Sequence, residues 1–373
     1  MPDAATSIFC DANAGGPVDA EVLACFLEVE RTCPGNPASS HAPGRRARAV
    51  LEAARARIAN VLHVEPDDVL FTSGGTESAN LAVRGLGDPN LPVLLGEVEH
   101  PAVMEPARER GLVLWKLDAR GEVEVCAPPR EVGLLCLVHA QSELGTLQPV
   151  PGAAALAKQL RVPIFVDAAQ TLGRVPLDAV MQTADAISLS PHKCGGLRGH
   201  GVLIVHDLTS RLRPLARGGG QEHGLRPGTQ SPALAAANAL AIEQAANEVA
   251  MRAANMAAVR DAFVRGVRAS LVEHEVMTPL ATSLPNTVML RFPHVDGRNL
   301  LPALDLAGIH ASHGSACSSG APTPPRILLA MGLSEAAART CVRFSFGWRD
   351  HAENFELVGR RVGDLVLARQ KKI

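Results

Sequence analysis

Pro163-Ile164-Phe165-Val166-Asp167-Ala168-Ala169-Gln170 is the stretch on which the fold turns. A short apolar run that ends in an aspartate and then in small residues reads as a buried strand delivering a carboxylate at its end. Six other runs share this texture: Val69–Phe71, Pro92–Glu97, Leu112–Leu117, Leu134–Val138, Ala186–Leu189 and Val202–Val205. Helical patterns such as Ser78–Gly85 and Pro151–Arg161 lie between several of them. Near-continuous apolar strands separated by helices predict an α/β fold with a seven-stranded, mostly parallel sheet covered on both faces. Ligands bind such sheets beyond the carboxyl ends of the strands, which makes Asp167 a candidate site residue. Taken alone, an aspartate there is more often a helix N-cap. Gln170 lies on the same side if a helix begins at this point.

The chain around this segment has 373 residues, a length that predicts roughly two or three domains. Hydrophobic residues make up 47% and charged residues 20%, which excludes a disordered or collagen-like chain. The net charge of −2 lacks the basic surplus of a nucleic-acid binder. Eight cysteines occur without a CxxC pair, so neither a disulfide framework nor a zinc module is expected, and a reducing compartment is. The first residues lack a basic start and an apolar run, and no apolar stretch approaches the ~18 residues of a membrane span. These features predict a cytoplasmic protein with no membrane, nucleic-acid or metal partner. Beyond Arg226-Pro227-Gly228-Thr229, the chain from Pro232 to about Ser270 reads as one long helix, followed by strands and helices in looser order.

Six further segments carry candidate chemistry. Ser188-Leu189-Ser190-Pro191-His192-Lys193-Cys194 follows a strand and sets one lysine among small residues, where desolvation favours Schiff-base chemistry. Ser190 and His192 offer donors to an anion. Thr72-Ser73-Gly74-Gly75-Thr76-Glu77 joins a strand to a helix, and its backbone N–H groups suit a phosphate, although a plain tight turn would look the same. Glu97-Val98-Glu99-His100 places an imidazole just past another strand, able to stack on a flat ring or carry protons. Gly314-Ser315-Ala316-Cys317-Ser318 predicts a mobile loop with a candidate nucleophilic thiol. Cys25, Cys126, Cys136 and Cys341 sit in apolar patterns that suggest core packing. Arg343, in Val342-Arg343-Phe344-Ser345, suits a carboxylate clamp if it is not a surface charge. Arg226 lies in a glycine-rich loop able to cross to another active site.

Together and in this order, these segments resemble the class V aminotransferase family of pyridoxal phosphate enzymes, in particular the cysteine desulfurases and the related selenocysteine lyases. The resemblance runs from Phe9-Cys10-Asp11 to about Gly347. It implies a type I aminotransferase-like fold, with a large cofactor-binding domain over residues 15–250. Residues 1–14 and 251–373 would form a smaller α+β domain carrying the Cys317 loop. It implies pyridoxal 5'-phosphate on Lys193, Asp167 on the ring nitrogen, Gln170 on the ring hydroxyl and His100 stacked on the ring. Gly75, Thr76, Ser190 and His192 would hold the phosphate, helped by Thr229 from the partner subunit of a homodimer. Asn36 and Arg343 would bind the substrate carboxylate, and Cys317 would accept sulfur from cysteine for onward transfer to an acceptor protein. Where the family commonly has two asparagines before a glutamate, this chain has Gln141-Ser142-Glu143, which leaves Ser142 at a position that contacts cofactor or substrate. Asn13-Ala14-Gly15-Gly16 departs from the usual segment on the substrate side. The implied activity is cysteine desulfuration. Selenocysteine lyase, or another class V lyase or aminotransferase with Cys317 incidental, are the alternatives.

Overall fold

A computed structural model describes residues 7–207, 211–314 and 324–370. The first strand, β1 (Ile8–Phe9), precedes the seven strands expected from the apolar runs. These are β2 (Val69–Thr72), β3 (Val93–Gly96), β4 (Leu112–Trp115), β5 (Leu134–Val138), β6 (Ile164–Asp167), β7 (Ala186–Leu189) and β8 (Gly201–Val205). They form one sheet in the order β2-β8-β7-β6-β5-β3-β4. All neighbouring pairs from β4 to β7 are parallel, and β8 runs antiparallel to both β7 and β2. β3, β5, β6, β7 and β8 are buried at every position, because helices cover both faces and no strand residue needs a polar outward face.

A smaller antiparallel sheet follows, with β9 (Glu275–Val276), β10 (Thr287–Arg291) and β12 (Cys341–Ser345) in the order β12-β10-β9. β1 pairs in parallel with β11 (Ile309–His310), and Asp11 and Ser312 bridge to Ser345 and Arg343 of β12. The N-terminal segment is thereby stitched to the C-terminal part of the chain. Phe263, Val267, Phe292, Phe344, Phe346 and Val362 form the centre of a second apolar core there, together with Cys10.

The single long helix expected from Pro232 to about Ser270 is two helices, Pro232–Asn247 and Val249–Ala269, meeting at Glu248. Neither Pro nor Gly breaks it; packing does. The first helix buries Ala235, Ala239, Ile242 and Ala245 against the large core. The second buries Val259, Phe263 and Val267 in the other core. The break at Glu248 (φ −100°, ψ 8°) falls between the segments that pack on the two cores. The second helix lies hard against Ala352–Gln370: a Cβ on Gly266 would come within 1.9 Å of the Glu356 carbonyl oxygen, and one on Gly359 within 2.0 Å of that of Phe263. Among the described residues, no helix is long and apolar enough to cross a membrane.

Candidate active site

The carboxyl ends of β5, β6 and β7 open onto a cavity of about 230 Å³. Asp167 ends β6, is 7% exposed, and sits in register opposite Val138 of β5 and Ser188 of β7. Its Oδ1 accepts hydrogen bonds from Ser188 Oγ at 2.8 Å and from the Ala169 N–H at 3.0 Å. No helix begins directly after Asp167, contrary to the conditional reading of Gln170; residues 169–174 form turns. Gln170 still lines the cavity, because a hydrogen-bond relay holds it there. Its Nε2 donates to the Asn13 carbonyl at 3.0 Å, and its Oε1 accepts from Arg174 Nη1 at 2.6 Å. Burial lowers the Arg174 guanidinium to about 10, still far above neutrality, so it remains a cation.

Lys193 ends the short 3₁₀ turn Pro191–Lys193 that follows β7 and lines the cavity with Ser190 and His192. Burial, with the charges of Lys193, Arg198 and Arg174, drives the His192 imidazole down to about 4, so it is neutral at pH 7. Facing it, Gly75 starts the helix Gly75–Gly85, and a Cβ there would approach Ser190 Oγ to 2.6 Å. The space between this helix N-terminus and Ser190 is one that only glycine leaves open. Its unpaired N–H groups and the helix dipole suit an anion. Thr76 lines the same corner.

His100 caps the helix Pro101–Arg110, its Nδ1 accepting from the Ala102 N–H at 3.1 Å, which leaves Nε2 as the protonated nitrogen. Burial lowers its basicity, Asp167 opposes that shift and Lys193 adds to it. Opposite lies Arg343, 2% exposed, and not a surface charge. Its Nη1 donates to the Ser142 carbonyl at 2.9 Å and its Nη2 to Asp11 Oδ1. Its Nε is buried without a hydrogen-bond partner. Ser142 therefore meets the site through a main-chain carbonyl, which also accepts from Asn13 Nδ2 at 3.0 Å.

Ten of the expected site residues thus share one cavity: Gly75, Thr76, His100, Ser142, Asp167, Gln170, Ser190, His192, Lys193 and Arg343. Asn36 does not join them; it is exposed, and its side chain accepts from the Ala38 N–H. Thr229 is exposed outside the cavity lining, and Arg226 pairs with Glu77 of its own chain at 3.0 Å. Cys317 lies outside the described residues. Cys10 and Cys194 are buried, and burial raises both thiols, Cys194 to about 11, so neither is a thiolate at neutral pH. Cys126 is exposed rather than core packing, and Cys25 is only partly buried. Among the described residues, no cluster of three His, Cys, Asp or Glu side chains is suited to a metal ion.

Sequence reasoning missed Ser188, Arg174 and Asp11 as members of the site, and it quoted Glu99 without a role. Ser188 was accessible in principle, since period-two alternation puts it on the same face as Ser190. Arg174 and Asp11 had no such signal, because their partners are distant in the chain.

Residues 8–358 match the family described as aminotransferase class-V. The chain is 33% identical over 353 residues to the cysteine desulfurase IscS of Dictyoglomus turgidum, covering 91% of this chain and 89% of the relative. It is 33% identical to the cysteine desulfurase NifS of Azotobacter vinelandii, covering 96% and 92%. Among solved structures, a NifS-like protein superposes with a TM-score of 0.87 at 30% identity, covering 97% of this chain and 100% of that one.

Proposed function

The chain belongs to the class-V aminotransferase family, and from that premise we propose that it is a pyridoxal phosphate-dependent cysteine desulfurase. The reaction converts cysteine to alanine and passes the sulfur to Cys317 as a persulfide. The observation that carries this reading is the meeting, in one cavity, of Lys193, Asp167 and His100 with a buried arginine whose Nε has no partner. The names of the relatives support cysteine as the substrate.

The residues fit the cofactor. The opening that Gly75 leaves beside Ser190 accommodates a phosphate at a helix N-terminus. Neutral His192 would add a hydrogen bond there but no charge. Asp167, braced by Ser188 and Ala169, would hold the ring nitrogen, and Gln170 the ring hydroxyl. His100 would flank the ring. When bound, pyridoxal phosphate supplies an electron sink that weakens bonds at the substrate's Cα and Cβ.

The chain's own residues do the rest. Lys193 Nζ would anchor the cofactor, and its amine would carry the substrate's Cα proton. Arg343, held by the Ser142 carbonyl and Asp11, would present its guanidinium to the substrate carboxylate. A fixed guanidinium binds a carboxylate without further loss of side-chain freedom. The Cys317 thiolate attacks the substrate sulfur: an S–S bond forms, the Cβ–S bond breaks, and Cβ takes up a proton to give alanine. In a homodimer, Thr229 would serve the partner's phosphate subsite, and the persulfide would pass on to an acceptor protein.

The test is incubation of the cofactor-loaded protein with cysteine. Alanine should form, and the Cys317 peptide should gain the mass of one sulfur. Alanine formation without that mass gain rules out Cys317 as acceptor, and no alanine at all rules out the activity.

A further inference from the structure

Glu99 is a buried acidic side chain, next to His100 of the site, that the reaction leaves unused. It is 5% exposed. Its Oε1 accepts from the Val138 N–H at 2.6 Å, and its Oε2 is buried with no hydrogen-bond partner. Val138 is the residue that pairs in register with Asp167, so the two carboxyl groups flank the same point, where β5 and β6 end. Their surroundings differ. Asp167 Oδ1 accepts two hydrogen bonds and the residue borders the cavity, whereas Glu99 has a single donor, does not line the cavity, and keeps Oε2 buried. Two buried carboxylates so placed repel each other, and one of them retains a proton. The one with more hydrogen-bond donors is the better host for the charge.

We propose that Glu99 and Asp167 form a carboxyl pair that holds one proton, resident on Glu99, and that this neutral acid is what confines the negative charge to Asp167. Glu99 is then a positioning residue for the proposed chemistry, acting through Asp167 rather than touching the cofactor. The second half rests on the cofactor reading; the first does not.

The electrostatics agree. Burial and the Asp167 charge push Glu99 up to about 8, against the partial opposition of the Val138 N–H. The groups facing it are Asp167 from β6, Cys136 from β5 and His100 beside it. The Cys136 thiol is itself raised by burial and by Glu99, and burial keeps the His100 imidazole neutral. Arg110 acts on Cys136 and Lys193 on His100.

The experiment is infrared difference spectroscopy of the apo-protein across a pH titration, in wild type and in Glu99→Gln. Wild type should show a buried protonated-carboxyl band at pH 7 that disappears with a midpoint near pH 8, and Glu99→Gln should lack it. Absence of the band in wild type, or its survival in Glu99→Gln, overturns the proton assignment. In the cofactor-loaded proteins, the cofactor absorbance should carry an inflection near pH 8 in wild type and none in Glu99→Gln. Identical titrations in the two loaded proteins overturn the role toward Asp167. Because the band is read without cofactor, its loss is distinguishable from a failure of the cofactor reading.

Discussion

The two walls of the cavity are built in opposite ways. The wall that holds Asp167, Gln170, Ser190, His192 and Lys193 comes from one short stretch of chain, residues 167–193, which leaves β6 and returns through β7. Asp167, Ser190, His192 and Lys193 are placed by a strand end or the turn next to it, and of this wall Gln170 alone is braced by the relay to Arg174 and Asn13. The facing wall joins Asp11, Asn13, Ser142 and Arg343 from three remote segments. Asn13 is its hub: its Nδ2 donates to the Ser142 carbonyl and to Thr287 Oγ1, and its Oδ1 accepts from Arg174 and Asn286. A locally built wall tolerates changes elsewhere, since a strand end persists as long as its sheet does. A wall built from distant segments stands or falls with the contacts between them.

Substitutions should separate the two. The largest effect is expected from Lys193→Ala, which removes the group proposed to anchor the cofactor and move the proton. Alanine formation from cysteine should fall by about 10⁴-fold, with little change in the melting temperature of the apo-protein, as read by product assay and calorimetry. Asn13→Ala should instead cost stability, by about 3 kcal/mol, because Arg174 and Asn286 lose a buried acceptor. Chemical denaturation measures it, and a loss below about 1 kcal/mol would show that the distant wall is not held by Asn13. Arg343→Lys keeps the charge but loses the planar fork. KM for cysteine should rise roughly tenfold to a hundredfold while kcat changes less. Ser188→Ala removes one of the two hydrogen bonds to Asp167 Oδ1 and should weaken pyridoxal phosphate affinity about tenfold, leaving KM for cysteine nearly unchanged.

A last readout is the pH dependence of stability. Burial holds His139, His192 and His200 at about 4 in the folded chain, against 6.5 for the free side chain. Between these values the unfolded chain binds more protons, so stability present above pH 6.5 is lost as pH falls toward 4. Glu99 acts on the alkaline side: raised from 4.5 to about 8, its contribution is full below pH 4.5 and lost as pH rises through 8. Melting temperatures of Glu99→Gln and His200→Gln across the pH range should each flatten one flank only. A profile unchanged in both would remove these groups as its cause.

The legibility of the site follows the same division. Asp167 and Lys193 were visible because a strand end is a local feature, and patterning locates it within a residue or two. Gln170 was found for a reason the fold does not use: a relay through Arg174, not a helix, holds it in place. Arg343 was seen as a candidate clamp, but its sequence alternation did not distinguish a surface charge from a residue 2% exposed. The long helix beyond Pro232 was read as continuous because the residues near Glu248 include no breaker. The bend comes from the positions of the two cores, which no local window contains.

By itself, the sequence determined the seven strands, the α/β class and the lysine and aspartate at the carboxyl edge of the sheet. Apolar periodicity and turn residues act over a few neighbours, and those neighbours are adjacent in the chain. Only the tertiary structure decided which polar groups are buried and with whom they pair: Asp11 with Arg343, Asn13 with Arg174, and Glu99 with an oxygen left unpaired beside Asp167. Burial and partnership depend on what distant segments bring, and in this chain that difference sets which charges the site carries.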